Sequence, residues 1–321
     1  MFDPLEESKI IPATQDRSYE SFYAFLKAKL ELESTNYNLG LMGYKLDSFT
    51  HLADCLDGIQ PGLYIIGAET NVGKTAFLTN IFLDALLSNK TLTGIYISLD
   101  DNKNTITNRL LAMISGLGIN DVKRPKLLTL EQRASLEFAY QTLFSLAQSG
   151  RIDIRDAASI KSVEELEETI SDYITTSSQL LVCIDGIYNL PVKTLSGLRE
   201  ESIFRANKLK LLSDMYNIPL IVTAEVRKRP ARMSDTKTQQ NIPPTIDDLM
   251  ESSKFAYNAH VIWILHPEDW DTFKSSPEPI LDVYFEKNKL SSFKGSSKLQ
   301  FIKNQGKLIE FLKQVPEKSC F

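Results

Sequence analysis

The chain has 321 residues, of which 43% are hydrophobic, and a formal net charge of −5 at pH 7. This length supports one large α/β core, or one core with a small appendage. The acidic balance argues against a generally basic nucleic-acid coat and leaves room only for local contacts to nucleic acid. The N-terminus is acidic, and no apolar run approaches the ~18 residues needed to cross a bilayer, so we expect neither export nor a membrane partner.

Cysteine and histidine usage gives no sign of a metal centre or a disulfide framework. The three cysteines show no paired or metal-ligand spacing, and Cys183 lies inside an apolar predicted strand. This usage favours a reducing, cytoplasmic setting. The three histidines also lack ligand spacing, and we interpret them as structural or surface residues.

Hydrophobic periodicity predicts alternating helices and strands along most of the chain. An amphipathic helix over residues 19–33 precedes the first strand. Strands are predicted over residues 63–66, 94–99, 152–154, 180–184, 219–224 and 261–265. Helices are predicted over residues 76–87, 105–114 and 199–216, and two more begin at the capping boxes Thr129/Gln132 and Ser162/Glu165. The alternation predicts an α/β fold with a mainly parallel central sheet and helices on both faces.

The pattern changes after residue 265. Strand-rich segments follow at residues 280–285, 298–302 and 308–311 without long helices between them. They predict antiparallel strands added to the sheet at the C-terminal end.

A glycine-bearing loop follows the first predicted strand and leads into the first predicted core helix. Such a loop turns its backbone N–H groups toward phosphates, and the helix adds its positive N-terminal end. The residues assigned to nucleotide binding are Ala68, Glu69, Thr70, Asn71, Val72, Gly73, Lys74, Thr75 and Ala76. Lys74 is expected to reach the β and γ phosphates of ATP, and the Thr75 hydroxyl to hold Mg²⁺. The strict pattern has Gly where Ala68 stands, and the alternative is a chance Gly-Lys-Thr at a helix start.

The apolar strand over residues 180–184 ends in a carboxylate, Asp185. In a parallel sheet this residue reaches the same sheet end as the phosphate loop, where it would serve Mg²⁺. The pattern alone is weak, because many buried strands end in Asp. Its place after the phosphate loop in the chain favours the metal-side role.

Five segments together resemble the RecA-like motor domain of the DnaB-family replicative helicases, over roughly residues 40–312. They are Gly-Ile-Gln-Pro-Gly (58–62), Asn-Val-Gly-Lys-Thr-Ala-Phe (71–77), Ile-Ser-Leu-Asp (97–100), Val-Cys-Ile-Asp (182–185) and Asp-Leu-Met-Glu-Ser (248–252). The family also accepts Ala at the place of Ala68. The resemblance implies a RecA-like P-loop NTPase that forms a ring, commonly of six subunits. ATP would lie between neighbours and single-stranded DNA in the central channel.

The resemblance also implies a division of the chain. We expect an N-terminal segment with a linker-type helix at residues 1–39, an ATPase domain at 40–312 and a C-terminal tail at 313–321. The family's N-terminal helical domain, which docks the primase, is expected to be missing. The resemblance itself makes a primase or a loader protein a candidate partner.

The chain departs from the family at its catalytic positions. Asp100 stands where the family has the glutamate that orients the attacking water, and one methylene fewer predicts slower hydrolysis. Glu225 aligns with a polar sensor that is usually Gln. Lys287 and Lys289 align with a basic pair, a Lys and an Arg, that acts on the neighbouring subunit's γ-phosphate. The alternatives are that Asp100 and the adjacent Asp101 cap the next helix, and that the lysines are solvated strand ends.

A basic loop follows the strand over residues 219–224. Its candidate DNA-binding residues are Arg227, Lys228, Arg229 and Arg232, and Lys193 begins a second candidate segment. In a RecA-like ring these residues would neutralise phosphates without reading bases. The alternative is a surface loop whose charges are only solvated.

Three hypotheses for function follow. The first is an ATP-dependent DnaB-like helicase or translocase that acts on single-stranded DNA as a ring. The second is a relative with weakened catalysis that uses bound ATP to control assembly or partner binding. The third, a recombinase-type or clock-type ATPase, shares the fold but is expected to lack the Pro-Gly and Asp-Leu-x-Glu-Ser segments.

Overall fold

The computed structural model describes residues 22–28, 30–31, 41–193, 197–227, 242–249 and 253–311. The chain divides into two units, residues 1–42 and 43–321. In the first unit, residues 22–28 and 30–31 are helical, as predicted. Large apolar side chains of this helix are exposed, including Phe22 at 59% and Leu30 at 68%.

The second unit alternates strands and helices in the predicted order. Its helices are α1 (Thr50–Leu56), α2 (Lys74–Ser88), α3 (Lys103–Ser115), α4 (Ile119–Val122), α5 (Leu130–Gln148), α6 (Val163–Thr176), α7 (Leu198–Tyr216), α8 (Ser253–Asn258) and α9 (Trp270–Ser275). Its strands are β1 (Gly62–Ala68), β2 (Thr93–Ser98), β3 (Ile152–Asp156), β4 (Leu180–Asp185), β5 (Pro219–Glu225), β6 (Val261–Pro267), β7 (Ile280–Asn288), β8 (Ser296–Ile302) and β9 (Lys307–Glu310).

The two predicted capping boxes differ in the structure. The Thr129 box is complete and begins α5. At α6, the Ser162 hydroxyl accepts from the Glu165 N–H at 3.3 Å, but the Glu165 carboxylate accepts from the Lys161 N–H at 2.8 Å. Both arrangements satisfy N–H groups that the first helical turn leaves unpaired.

The described strands form one sheet in the order β3-β2-β4-β5-β1-β6-β7-β8-β9. The six strands from β3 to β6 pair in parallel. The last three strands pair antiparallel, as the change of pattern predicted. Ala68 lies opposite Glu225, and Ser98 lies opposite Asp185. The carboxyl ends of β1, β2, β4 and β5 therefore meet at one edge of the sheet.

Helices cover both faces of the sheet. On one face, Leu63 and Ile65 of β1 share an apolar cluster with Leu166 of α6 and Leu209 of α7. On the opposite face, Phe77 of α2 packs edge-on against Trp263 of β6, with ring centroids 5.6 Å apart. Because β1 is buried on both faces, its sequence is a continuous apolar run rather than an alternating one.

Helices α3, α4 and α5 connect β2 to β3 and share an apolar cluster of their own. Two hydrogen bonds join this helical connection to the turn between β8 and β9. The Ile119 N–H donates to the Asn304 carbonyl at 2.7 Å, and the Gln305 amide donates to the Gly116 carbonyl at 2.8 Å. No helix in the described ranges is both long and apolar enough to cross a membrane.

Candidate nucleotide site

The loop between β1 and α2 has a backbone that few residue types adopt. Asn71 has a φ of 67° and Gly73 a φ of 120°. A Cβ at Gly73 would also lie 3.3 Å from the Phe301 ring. Gly73 precedes the first residue of α2 and offers no side chain to cap it, so the leading amides of α2 are available to an anion.

Lys74 lies across this loop. Its ammonium group donates to the Ala68 carbonyl at 3.1 Å and to the Glu69 carbonyl at 3.3 Å. Burial lowers the pKa of Lys74, while the carboxylates of Glu225, Asp185 and Asp100 act in the opposite direction. The lysine is thus partly desolvated and faces three acidic side chains that come from three different strand ends.

Asp185 is 1% exposed, and only one of its two carboxylate oxygens accepts a hydrogen bond from the described residues. Its Oδ1 accepts from the Thr223 hydroxyl at 2.7 Å, and that hydroxyl accepts from the Gly186 N–H at 2.7 Å. Oδ2 accepts no hydrogen bond from the described atoms, although it is buried. Burial raises the pKa of Asp185, the hydroxyls of Thr223 and the nearby Thr75 lower it, and Asp100 raises it again.

This arrangement fits Mg²⁺. A buried carboxylate oxygen without a partner, beside a threonine hydroxyl, is an oxygen donor set of the kind that Mg²⁺ prefers. Mg²⁺ that arrives with a nucleotide needs only one or two protein oxygens, because phosphates and water complete its shell. Thr75 and Asp185 can supply them.

Asp100 and Asp101 follow β2 but do not cap α3. The cap is Asn102, whose side-chain oxygen accepts from the Thr105 N–H at 2.9 Å. Asp101 pairs with Arg109 at 3.3 Å. The alternative of Asp100 and Asp101 as helix caps is therefore wrong, and Asp100 is left at the sheet edge among the site residues.

Glu225 is the last residue of β5 and is exposed. It lies opposite Ala68, and the following N–H, of Val226, donates to the Ala68 carbonyl at 3.1 Å. The structure therefore brings together five residues that were predicted from four separate segments of the sequence: Lys74, Thr75, Asp100, Asp185 and Glu225.

The family model described as DnaB-like helicase C terminal domain matches residues 46–310. The chain belongs to this family. The Replicative DNA helicase DnaB of Geobacillus stearothermophilus is 23% identical over 272 residues, which cover 84% of this chain and 57% of that protein. The Replicative DNA helicase DnaC of Bacillus subtilis (strain 168) is 22% identical over 264 residues, covering 81% and 55%. The chain thus spans about half the length of the curated relatives it matches.

Solved structures agree with the DnaB-like assignment at the level of the fold. The ATPase domain of G40P superposes with a TM-score of 0.73 at 19% identity, covering 94% of this chain and all of that domain. A DnaB-like replicative helicase, solved with its interactions with primase, gives a TM-score of 0.71 at 21% identity, covering 90% of this chain and 66% of that one. These RecA-like neighbours confirm the predicted fold class.

The two lysines aligned with the DnaB-family basic pair lie far from the phosphate loop of their own chain. Lys287 pairs with Ile262 near the start of β6, whereas the loop follows the carboxyl end of β1, which is parallel to β6. Lys287 Nζ donates to the carbonyls of Ala256 at 2.6 Å and Tyr257 at 2.9 Å. Burial, and then the nearby charge of Lys289, lower the pKa of Lys287 to about 8. Lys289 itself is exposed.

The candidate DNA-binding residues are only partly described. Arg227 is exposed after β5, and its N–H donates to the Asp248 carbonyl at 2.8 Å. Lys193 pairs with Glu165 of α6 at 3.2 Å. Lys228, Arg229 and Arg232 lie outside the described residues.

Sequence reasoning missed two polar residues that hold the predicted carboxylates. Thr223 holds Asp185, and Asn189 donates a hydrogen bond to Asp100. No sequence motif pointed to these two contacts, because each one joins residues that are far apart in the chain. Only the sheet order could have pointed to Thr223, because β5 is the neighbour of β4.

Proposed function

We propose that this chain is the ATP-hydrolysing motor of a cytoplasmic, DnaB-like DNA helicase or translocase, which acts on single-stranded DNA as an oligomeric ring. The observation that carries the proposal is the convergence of Lys74, Thr75, Asp100 and Asp185 at one edge of the sheet in a member of this family.

ATP is proposed to bind with its phosphates over the β1–α2 loop. The leading amides of α2 would bind the phosphate oxygens. Lys74 would exchange its bonds to the Ala68 and Glu69 carbonyls for bonds to the β and γ phosphates. Thr75 and Asp185 would hold Mg²⁺, which would supply positive charge to the β and γ oxygens.

Asp100 is proposed to orient the attacking water and accept its proton. It lies near Lys74 and Asp185, and it is exposed. Glu225 is proposed as the residue that responds to the γ-phosphate, because it ends the strand next to β1. Both are carboxylates near a triphosphate, so the charges of Lys74 and Mg²⁺ would have to offset theirs.

Assembly is proposed to complete the site with Lys287 and Lys289 of a neighbouring copy. Both lysines lie near the amino ends of the parallel strands, whereas the phosphate loop of the same chain follows the carboxyl end of β1. Exposed apolar side chains support self-assembly, since the surface of α5 carries Leu130 at 85% and Phe138 at 67% exposure. A ring of six is our proposal for the number of subunits.

DNA is proposed to contact Arg227 together with Lys228, Arg229 and Arg232. These charges are clustered in one short segment of the sequence of an otherwise acidic chain, which suits binding to phosphates without reading bases. Lys193 would first have to leave Glu165. A primase or a loader protein is a proposed further partner.

The test is the rate of ATP hydrolysis with and without single-stranded DNA, at several salt concentrations, beside Lys74→Ala. We expect DNA to stimulate turnover, Lys74→Ala to abolish it, and added salt to weaken the stimulation. Tight ATP binding with negligible turnover under all these conditions would contradict the proposal of an ATP-hydrolysing motor. It would favour the hypothesis that bound ATP controls assembly.

A further inference from the structure

The carboxylate of Asp100 is held by a residue of the turn that follows Asp185. The Asn189 side-chain amide donates to Asp100 Oδ1. Oδ2 accepts no hydrogen bond from the described part of the chain, and Asp100 as a whole is exposed. An exposed aspartate would otherwise rotate freely, and this bond selects one orientation of its side chain.

Gly186 makes the space for this contact. A Cβ at Gly186 would lie 2.5 Å from Asp100 Oδ1 and 2.7 Å from its Cγ, closer than real contacts allow. Gly186 also has a φ of 83°, which a residue with a side chain adopts only with strain. The carboxylate of Asp100 therefore rests directly on the backbone just after Asp185.

The turn that carries Asn189 is itself fixed. Residues Ile187–Asn189 form a single helical turn, with the Asn189 N–H donating to the Gly186 carbonyl at 2.9 Å. Ile187 is fully buried in the main apolar cluster. The Gly186 N–H donates to the same Thr223 hydroxyl that holds Asp185. The turn over residues 186–189 therefore links the residue that bonds Asp100, Asn189, to the hydroxyl that bonds Asp185, that of Thr223.

We propose that Asn189 is the positioning residue for Asp100, with Gly186 providing the space, so that the shorter carboxylate is held ready to orient water through Oδ2. The inference rests on the proposed role of Asp100 in ATP hydrolysis. A donor amide on Oδ1 restrains the carboxylate and leaves Oδ2 to accept from the water, and a small misplacement of a catalytic group is costly in rate.

The main variant is Asn189→Asp, which keeps the size of the side chain and replaces the donor amide by a carboxylate. We expect kcat to fall about 10- to 100-fold, the effect of losing a hydrogen bond to a charged group. The KM for ATP, the affinity for a fluorescent ATP analogue and the melting temperature should stay near their wild-type values. Asn104→Asp, on the exposed first turn of α3, makes the same charge change as a matched control and should leave kcat unchanged.

A double-mutant cycle separates positioning from a general structural effect. If Asn189 acts through Asp100, Asn189→Asp in an Asp100→Ala background should cause no further loss of kcat. Wild-type kcat in Asn189→Asp, or an equal loss with and without Asp100, would overturn the positioning role and leave the motor proposal standing. A wild-type protein without any turnover would overturn both.

Discussion

At the scale of single residues, Asp185, the carboxylate that we propose binds Mg²⁺, is buried at a cost in free energy. Burial raises its pKa, so the folded state keeps this proton at pH values where the unfolded chain has released it. The contribution of this group to the free energy of unfolding is therefore largest below the ordinary carboxyl pKa. It is lost as the pH rises through the raised value, because the buried carboxyl group must then carry a charge.

Asp185→Asn should consequently stabilise the nucleotide-free protein while it weakens Mg²⁺-dependent ATP binding. An amide can still accept from Thr223, and it removes the buried charge. We expect the melting temperature to rise by about 2–4 °C, which corresponds to ~1 kcal/mol for a domain of this size. Thermal unfolding at neutral pH with and without Mg²⁺ and ATP measures both effects. A fall in the melting temperature of the nucleotide-free variant would contradict this account.

At the scale of elements, α1 depends on a carboxylate from the far end of the chain. The residue before α1 is Phe49, which makes no side-chain cap. Glu310, at the end of β9, accepts instead from the N–H groups of His51 at 3.0 Å and Leu52 at 2.8 Å. The C-terminal antiparallel strands thus fasten the helix that precedes the first core strand.

Glu310→Ala should destabilise the protein by about 0.5–2 kcal/mol, the usual cost of losing a helix N-cap. Because Glu310 belongs to β9 at the edge of the sheet, ATP affinity should be unchanged. Urea unfolding measures the stability. Glu310→Gln, which keeps the acceptor oxygen but loses the charge, should be affected less than Glu310→Ala, and equal losses would argue against capping.

At the scale of the whole molecule, the proposed role of Lys289 predicts that one subunit alone does not turn over ATP. In the proposed ring, Lys289→Ala should keep ATP binding within about 2-fold and lower turnover by roughly 1000-fold, since a cation acting from a neighbour stabilises the transition state. Lys289→Arg should retain turnover, because guanidinium keeps the charge and adds a bidentate fork.

Mixing Lys289→Ala with Lys74→Ala subunits tests whether Lys289 acts between copies. We expect part of the turnover to return in mixed rings, because some sites then combine an intact Lys74 with an intact Lys289 of the neighbouring copy. No recovery of turnover in mixed rings would show that both lysines serve the site of the same subunit. Lys287→Met serves as a comparison, since Lys287 bonds the carbonyls at the end of α8 and its loss should also reduce stability.

The sequence by itself determined the features that depend on near neighbours in the chain. The phosphate loop was predicted because nine consecutive residues carry its glycine, lysine and threonine. The alternating strands and helices, and the change to antiparallel strands, followed from hydrophobic periodicity. The family resemblance placed Asp100, Glu225 and Lys289 by motif position, and the structure brings the first two to the loop.

Only the tertiary structure decided which side chains meet across the sheet edge. Asn189 and Asp100 are 89 residues apart, Thr223 and Asp185 are 38 apart, and Glu310 and His51 are 259 apart. No local pattern encodes such pairs, and the first two depend on the strand order that places β4 between β2 and β5. Periodicity reports which residues face the core, whereas the order of strands is set by packing among all the elements at once.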